Sequence, residues 1–296
     1  MFTINSQFPS PPFSSFELGP FTLHMYALLI LTGIIAAYLI GAHRYKSWGG
    51  DTNLLLDVVL WAVPIGILGG RLFHVATHPG DYFGVYPDLF ETAYHVIAVW
   101  EGGLAIYGAL IAGVFGVWLG ARFSKVRFVT ILDALAPGVL LAQAIGRWGN
   151  YFNQELFGEA TDLPWGLSIP SSNPAFPKDF PADTLFHPTF LYEFLLNILG
   201  VVALLLLDRR FKLRWGKMFA SYLIVYSVIR FFVESIRLDP SGVFFGLRTN
   251  QWSAVIGIFA GLLILYIQTR RHPGLEPSVS IEKKANNEVV TKGKAK

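Results

Sequence analysis

Seven apolar stretches dominate this 296-residue chain, lying at about Thr22–Ala42, Leu54–Val75, Gly102–Ala121, Phe128–Gly146, Pro188–Leu207, Lys217–Ile236 and Gln251–Gln268. Each is close to the ~20 residues that a helix needs to cross ~30 Å of hydrocarbon. Backbone inside a bilayer must satisfy its own hydrogen bonds, and a segment of this length does so as a helix. The fold class expected is therefore an all-α polytopic membrane protein with seven transmembrane helices. Composition agrees: 53% of the residues are hydrophobic and 15% are charged, against about 25% charged in soluble domains.

Lys and Arg set the expected orientation. Seventeen of the 23 follow the first, third, fifth and seventh runs, from Arg44 and Lys46 to the five lysines of the tail. The positive-inside rule makes that side the cytoplasm, with the N-terminus outside. Residues 1–20 contain no Lys or Arg, so they read as an external tail rather than a signal peptide. Two long outer loops, at 76–100 and 150–187, are expected to build a small cap, and the second holds five prolines between Pro164 and Pro181. One membrane domain then covers residues 1–271, and the polar stretch 272–296 reads as a disordered cytoplasmic tail. No repeat is evident, which weighs against an inverted-repeat transporter. The net charge of +3 is explained by topology, so no nucleic-acid partner is expected.

Six cations fall outside that pattern: Arg71, Arg147, Lys178, Arg230, Arg237 and Arg248. An Arg at the bilayer centre costs at least ~2.5–3.5 kcal/mol, so intramembrane cations mark functional candidates. Arg147 stands in the densest polar segment beside an apolar run, Gly146 to Gly158, with Asn150, Asn153, Gln154 and Glu155. A guanidinium grips phosphate through paired hydrogen bonds, and carboxamides suit glycerol hydroxyls. The segment reads as a binding site for a lipid phosphate, although a snorkelling helix-end Arg is the plainer alternative. Tyr226, Arg230, Glu234 and Arg237 are spaced four, four and three residues apart, so they share one helical face. An intrahelical ion ladder is the competing reading there. Arg71 after Gly69–Gly70, Tyr26 near the start of the first run, and His187 before Pro188 complete the candidates. Asp133, alone in the fourth run, reads as structural.

With no cysteine in the chain, disulfides, thiolate metal sites and a nucleophilic enzyme thiol are excluded. His74 and His78 lack the acid of a zinc-protease pattern, so no metal or other cofactor is expected.

The segment Gly146–Gly158 resembles the signature G-R-x-G-N-[FY]-x-N-x-E-x-x-G of the bacterial prolipoprotein diacylglyceryl transferases. Gly69–Gly70–Arg71, Glu101–Gly102–Gly103, His187–Pro188 with Tyr192–Glu193, and Arg230–Glu234 are similar to further family motifs, in the family's order over most of residues 22–268. The resemblance implies transfer of the diacylglyceryl group of phosphatidylglycerol to the lipobox cysteine of a preprotein at the bacterial cytoplasmic membrane, releasing glycerol phosphate. The thiol then arrives on the substrate. The resemblance carries functional roles to Arg147, Asn150, Glu155, Tyr26, Arg230 and Glu234 as catalytic residues. It also implies substrate binding by Arg147, Asn153, Gly158, Tyr226, Arg71, Tyr107 and His187. Many members carry histidine where this chain has Tyr107. That histidine is considered a base, and a phenol with a pKa of ~10 is a poor one at neutral pH. Phosphatidylglycerol, lipobox preproteins and membrane lipids are the partners implied. A carrier or channel for an anionic solute and a non-catalytic lipid-binding scaffold are the alternatives.

Overall fold

The computed structural model describes residues 7–19, 21–276 and 279. In chain order these form β1 (Ser15–Leu18), β2 (Phe21–His24), α1 (Met25–Ser47), α2 (Thr52–Thr77), α3 (Leu89–Ile97), α4 (Ile106–Phe123), α5 (Phe128–Phe152), β3 (Leu167–Ser168), β4 (Leu185–Phe186), α6 (Thr189–Phe211), α7 (Lys217–Ser235), β5 (Val243–Phe244), β6 (Leu247–Arg248) and α8 (Thr249–Arg271). Seven of the eight α-helices are long and apolar enough to cross a membrane; α3, with nine residues, is not. The seven expected spans are therefore present. Of the expected tail, residues 277, 278 and 280–296 lie outside the described residues.

The helix limits differ from the apolar runs where chemistry intrudes. The third run opens as a turn, not a helix. Gly102 and Gly103 sit at φ +88° and +68°, a region that glycine enters at no steric cost, and α4 begins only at Ile106. In the fourth run the helix continues six residues past Gly146, so Arg147 and Asn150 lie on its last turns. The loop at 76–100 is not featureless. Asp88 caps α3 within it, accepting from the Glu91 amide at 2.8 Å.

The chain divides into two compact units, one of residues up to Gly41 with Leu132–Leu275, the other of Ala42–Ile131 with Glu276 and Val279. In the second unit α2 and α4 pack through small residues. A Cβ on Gly116 would meet Ala62 Cα at 2.8 Å, and one on Gly120 would meet Val58 Cα at 2.8 Å. Gly108, Ala112, Gly116 and Gly120 recur every four residues, the spacing that lets membrane helices approach closely. Glu276 is fastened here, pairing with Arg127 at 2.9 Å and accepting from the Thr130 hydroxyl at 2.6 Å.

The first unit holds α5 to α8. Its core joins Ala136 and Leu140 of α5, Val201 and Leu204 of α6, and Met218 and Tyr222 of α7. Asp133 accepts from the backbone N–H groups of Gly216 at 2.7 Å and Phe219 at 2.9 Å, which fixes the start of α7. Beyond the helices, residues 153–187 fold into a cap with its own core of Phe157, Leu167, Ile169, Phe176 and Phe186, against Phe190 of α6. The strand pair β3–β4 and the N-terminal segment brace it: the Phe8 amide donates to Gly166 O at 3.0 Å, and the Tyr151 hydroxyl to Pro9 O at 2.8 Å.

The α2–α4 contact yields a stability prediction. Gly116→Leu drives a branched side chain into the Ala62 backbone, so it should destabilise the protein by about 1–3 kcal/mol. Gly80→Ala, with nothing within 4 Å of the added methyl, should leave stability unchanged. Thermal unfolding in detergent, followed by near-UV circular dichroism, compares the two.

Candidate active site

Four helix ends meet on one side of the first unit: the end of α5, the start of α6, the end of α7 and the start of α8. Each brings ionic side chains. Glu193, on the second turn of α6, is 2% exposed and pairs with Arg147 Nη2 at 2.7 Å and Arg230 Nη1 at 3.5 Å. Arg230 continues to Glu234, one turn along α7, at 2.7 Å. Glu234 is fully buried. It also takes Arg237 Nη1 at 3.6 Å, Arg248 Nε at 3.0 Å and the Asn250 amide at 3.1 Å. Asp239 closes the far end, 2.6 Å from Arg237 Nε and 3.5 Å from Arg248 Nη2. At the near end Arg147 Nη1 donates to Asn150 Oδ1 at 3.3 Å. The amides of Asn150 and Asn153 both donate to Glu155 Oε1, at 2.9 and 3.2 Å.

The network is thus continuous from Glu155 to Asp239. It sets four guanidiniums against four carboxylates: Glu155, Glu193, Glu234 and Asp239. Sequence reading expected a cluster of cations; the structure provides a balanced one. The balance is uneven along its length. Arg147 and Arg230 converge on the single carboxylate of Glu193, while Glu234 is divided among three arginines. Both converging side chains stay partly open, at 18% and 14% exposure. A guanidinium has five N–H donors, more than these contacts use, so the pair can take an incoming anion.

Two tyrosines join them. The ring of Tyr26 lies on Gly149, where any Cβ would collide with it, and its hydroxyl is within electrostatic reach of Arg147 and Glu155. The Tyr226 hydroxyl is within electrostatic reach of Arg147, and its ring stacks on Tyr222, with centroids 6.1 Å apart. Gly158 is a packing point. Its amide donates to His187 O at 2.9 Å, and a Cβ there would meet Ile236 O at 2.7 Å and His187 Cβ at 2.8 Å. His187 itself places Nδ1 3.1 Å from the Tyr192 hydroxyl, a contact between the end of the cap and α6.

Arg147, Asn150, Asn153, Glu155, Tyr26, Tyr226, Arg230 and Glu234 therefore come together, with Gly158 and His187 in the wall beside them. Arg71 and Tyr107 belong to the other unit. The Arg71 guanidinium donates to the backbone carbonyls of His95, Val96 (3.0 Å), Gly102 (2.6 Å) and Gly103 (3.3 Å), so it clasps the loop around it. Tyr107 is half exposed.

Comparison with known proteins bears on the same residues. The profile of the prolipoprotein diacylglyceryl transferases matches residues 14–267, nearly the whole described chain. The chain belongs to the prolipoprotein diacylglyceryl transferase family. Similar relatives include the phosphatidylglycerol–prolipoprotein diacylglyceryl transferase of Leifsonia xyli subsp. xyli, 50% identical over 91% of this chain and 82% of the relative. A second is enzyme 2 of that name in Streptomyces coelicolor, 46% identical over 90% of this chain and 83% of the relative. A third, in Paenarthrobacter aurescens, is 45% identical over 89% and 84%.

Sequence reading assigned no role to Glu193, though it stands in the Tyr192–Glu193 motif. The available signal was a carboxylate inside a span, which needs a cationic partner. Removing one member of a buried ion pair strands the others and costs about 3–5 kcal/mol. Glu193→Ala should lower stability by that amount in denaturant unfolding of the detergent-solubilised protein. A loss well under 1 kcal/mol would mean that the arginines reach water without it.

Proposed function

We propose that this protein transfers the diacylglyceryl group of phosphatidylglycerol to the cysteine thiol of a lipobox preprotein. The observation that carries this reading is the convergence of Arg147 and Arg230 on Glu193, with donors to spare at the end of the polar network. The headgroup phosphate sits against these two guanidiniums, and the glycerol hydroxyls meet Asn150, Asn153 and Glu155. The substrate's sulfur bonds to the glyceryl carbon and the carbon–oxygen bond to phosphate breaks. The bonding electron pair leaves on the phosphate oxygen, and the thiol's proton ends on the released glycerol phosphate. Arg147 and Arg230 stabilise charge that grows on the departing oxygen, the term that usually contributes most to such catalysis. Cations beside the site also favour the thiolate over the thiol, which is mostly protonated at neutral pH with a pKa of ~8.5. Glu193 and Glu234 position the two arginines, and Tyr26 and Tyr226 line the headgroup site.

Purified protein supplied with phosphatidylglycerol and a lipobox peptide should release glycerol phosphate and form a thioether peptide. Arg147→Ala should lose at least about 100-fold in rate, the cost of one lost charge-stabilising donor, while unfolding with the parent's cooperativity. Release by Arg147→Ala at the parental rate would defeat the assignment.

The site lies at the outer face of the bacterial cytoplasmic membrane in this reading, supported by the Lys and Arg count. The cysteine-free sequence makes single introduced thiols clean reporters. Ser171→Cys in the cap should react with a membrane-impermeant maleimide in intact cells, and Arg210→Cys at the end of α6 only after permeabilisation. The reverse pattern would invert the topology.

A further inference from the structure

In the second unit, at the end of α2 away from Arg71, lies a hollow of about 730 Å³. Its size falls in the ~300–1,000 Å³ range of small-molecule sites. One wall is a stripe of α2. Leu54, Asp57, Trp61 and Pro64 stand three, four and three residues apart, so they share a helical face. The end of α4 supplies the other wall with Phe123, Ser124 and Lys125. The Trp61 and Phe123 rings meet with centroids 5.3 Å apart, and both residues are exposed. Exposed apolar rings on membrane-spanning helices face hydrocarbon, so the space beside them is filled by lipid.

Three features suit the α2 wall to a cation. Asp57 lies on the second turn of a span and is exposed, and among the described residues its carboxylate has no hydrogen bond or ion pair. A carboxylate so placed calls for a positive partner. Pro64 has no N–H and cannot donate to the carbonyl of Leu60, a residue that also lines the hollow. Trp61, one turn on from Asp57, carries an indole face that attracts ammonium groups. The α4 wall suits an anion. Lys125 follows the last turn of α4 at φ +53°, where a helix ending of this kind usually has glycine. The Val126 amide donates to Ala121 O at 3.0 Å and closes that ending. The left-handed lysine therefore sets a cation at the rim, next to the Ser124 hydroxyl, and both side chains are donors that phosphate accepts from.

We propose that this hollow binds a phospholipid whose headgroup carries an ammonium, such as phosphatidylethanolamine. The ammonium meets Asp57, the Leu60 carbonyl and the Trp61 ring. The phosphate meets Ser124 and Lys125, and an acyl chain lies along Leu54 and Phe123. Phosphatidylglycerol brings the phosphate without the cation, and Asp57 repels its net charge. The site thus selects a lipid other than the proposed substrate. In the orientation proposed above it opens on the cytoplasmic leaflet, beside the loop that holds Arg122, Lys125 and Arg127.

Binding here needs no turnover, so no transfer assay is required. The full-length protein in dodecyl maltoside is given phosphatidylethanolamine or phosphatidylglycerol carrying a diazirine on one acyl chain. After illumination the labelled residues are mapped by mass spectrometry. The phosphatidylethanolamine probe should label residues 54–65 or 123–125 about tenfold more than the phosphatidylglycerol probe, the worth of one charge-assisted hydrogen bond. Asp57→Asn should bring the two probes level, and Asp57→Glu should keep the preference. Asp57→Asn removes a charge from apolar surroundings, so it should unfold no more easily than the parent in lipid-free detergent. Equal labelling of the parent by both probes would mean non-selective surface lipid and overturns the proposal. So does a preference for the phosphatidylglycerol probe, a phosphatidylethanolamine preference that survives in Asp57→Asn, or labelling confined to other residues.

Discussion

One buried carboxylate shared by two arginines organises the polar network of the first unit. Glu193 is 2% exposed and stands between Arg147 of α5 and Arg230 of α7. Neither arginine is tolerable alone at the end of an apolar helix buried among others, because stripping water from an ion costs several kcal/mol. The shared carboxylate offsets part of that cost for both. It also removes their freedom: each guanidinium is drawn to the same oxygen pair, so the two point at one place before any ligand arrives. Such preorganisation makes hydrogen-bond donors effective toward charge that develops during a reaction, because no reorientation is needed at that moment.

The rest of the site supports that junction from both ends. Glu234 holds Arg230 from one turn along the same helix, and is itself fixed by Arg248 and Asn250 from the start of α8. Asn150 holds Arg147 from three residues along α5 and passes the constraint to Glu155. Gly149 matters for a different reason. Its missing side chain admits the Tyr26 ring, which brings a hydroxyl from α1 to Arg147. The aromatic core of the cap packs against Trp148 and Tyr151 on the same turns of α5 and against Phe190 at the start of α6.

The seven spans were legible because membrane insertion leaves a length and composition signature that needs no tertiary information. The ends of the helices were less so. Apolar runs stop where polar residues start, yet α5 runs on through Arg147 and Asn150, whose side chains face protein rather than lipid. The Arg230–Glu234–Arg237 face could be read from spacing alone, since i, i+3 and i+4 neighbours meet on any helix. The pairing of Glu193 and of Arg248 with Glu234 could not, because Glu193 lies 46 residues from Arg147 and 37 from Arg230, and Arg248 lies 14 from Glu234. The same holds for the balance of charge. Counting unexpected arginines suggests an anion-hungry cluster, and only the fold shows Arg147, Arg230, Arg237 and Arg248 each meeting a carboxylate. Arg71 departs from the expectation in another way. Its position beside two glycines near the end of a span looked like that of a ligand-facing cation, and its guanidinium is spent on four loop carbonyls.

Charge balance has a consequence for the proposed catalysis. An uncompensated pair of buried arginines would hold a phospholipid headgroup tightly in its resting state, and tight binding of the resting substrate does not speed the chemical step. Here the carboxylates already take part of each guanidinium's field, so in the proposed reaction the resting phosphodiester, with a single charge, competes for what remains. As the carbon–oxygen bond breaks, negative charge concentrates on the departing oxygen, and the same donors interact more strongly with it than with the resting diester. A network that is neutral as a whole but donor-rich at Arg147 and Arg230 therefore favours the charge that appears during the reaction over the charge present before it. The carboxylates that make the arginines tolerable inside a membrane would, in the proposed reaction, also keep them from holding the substrate too well.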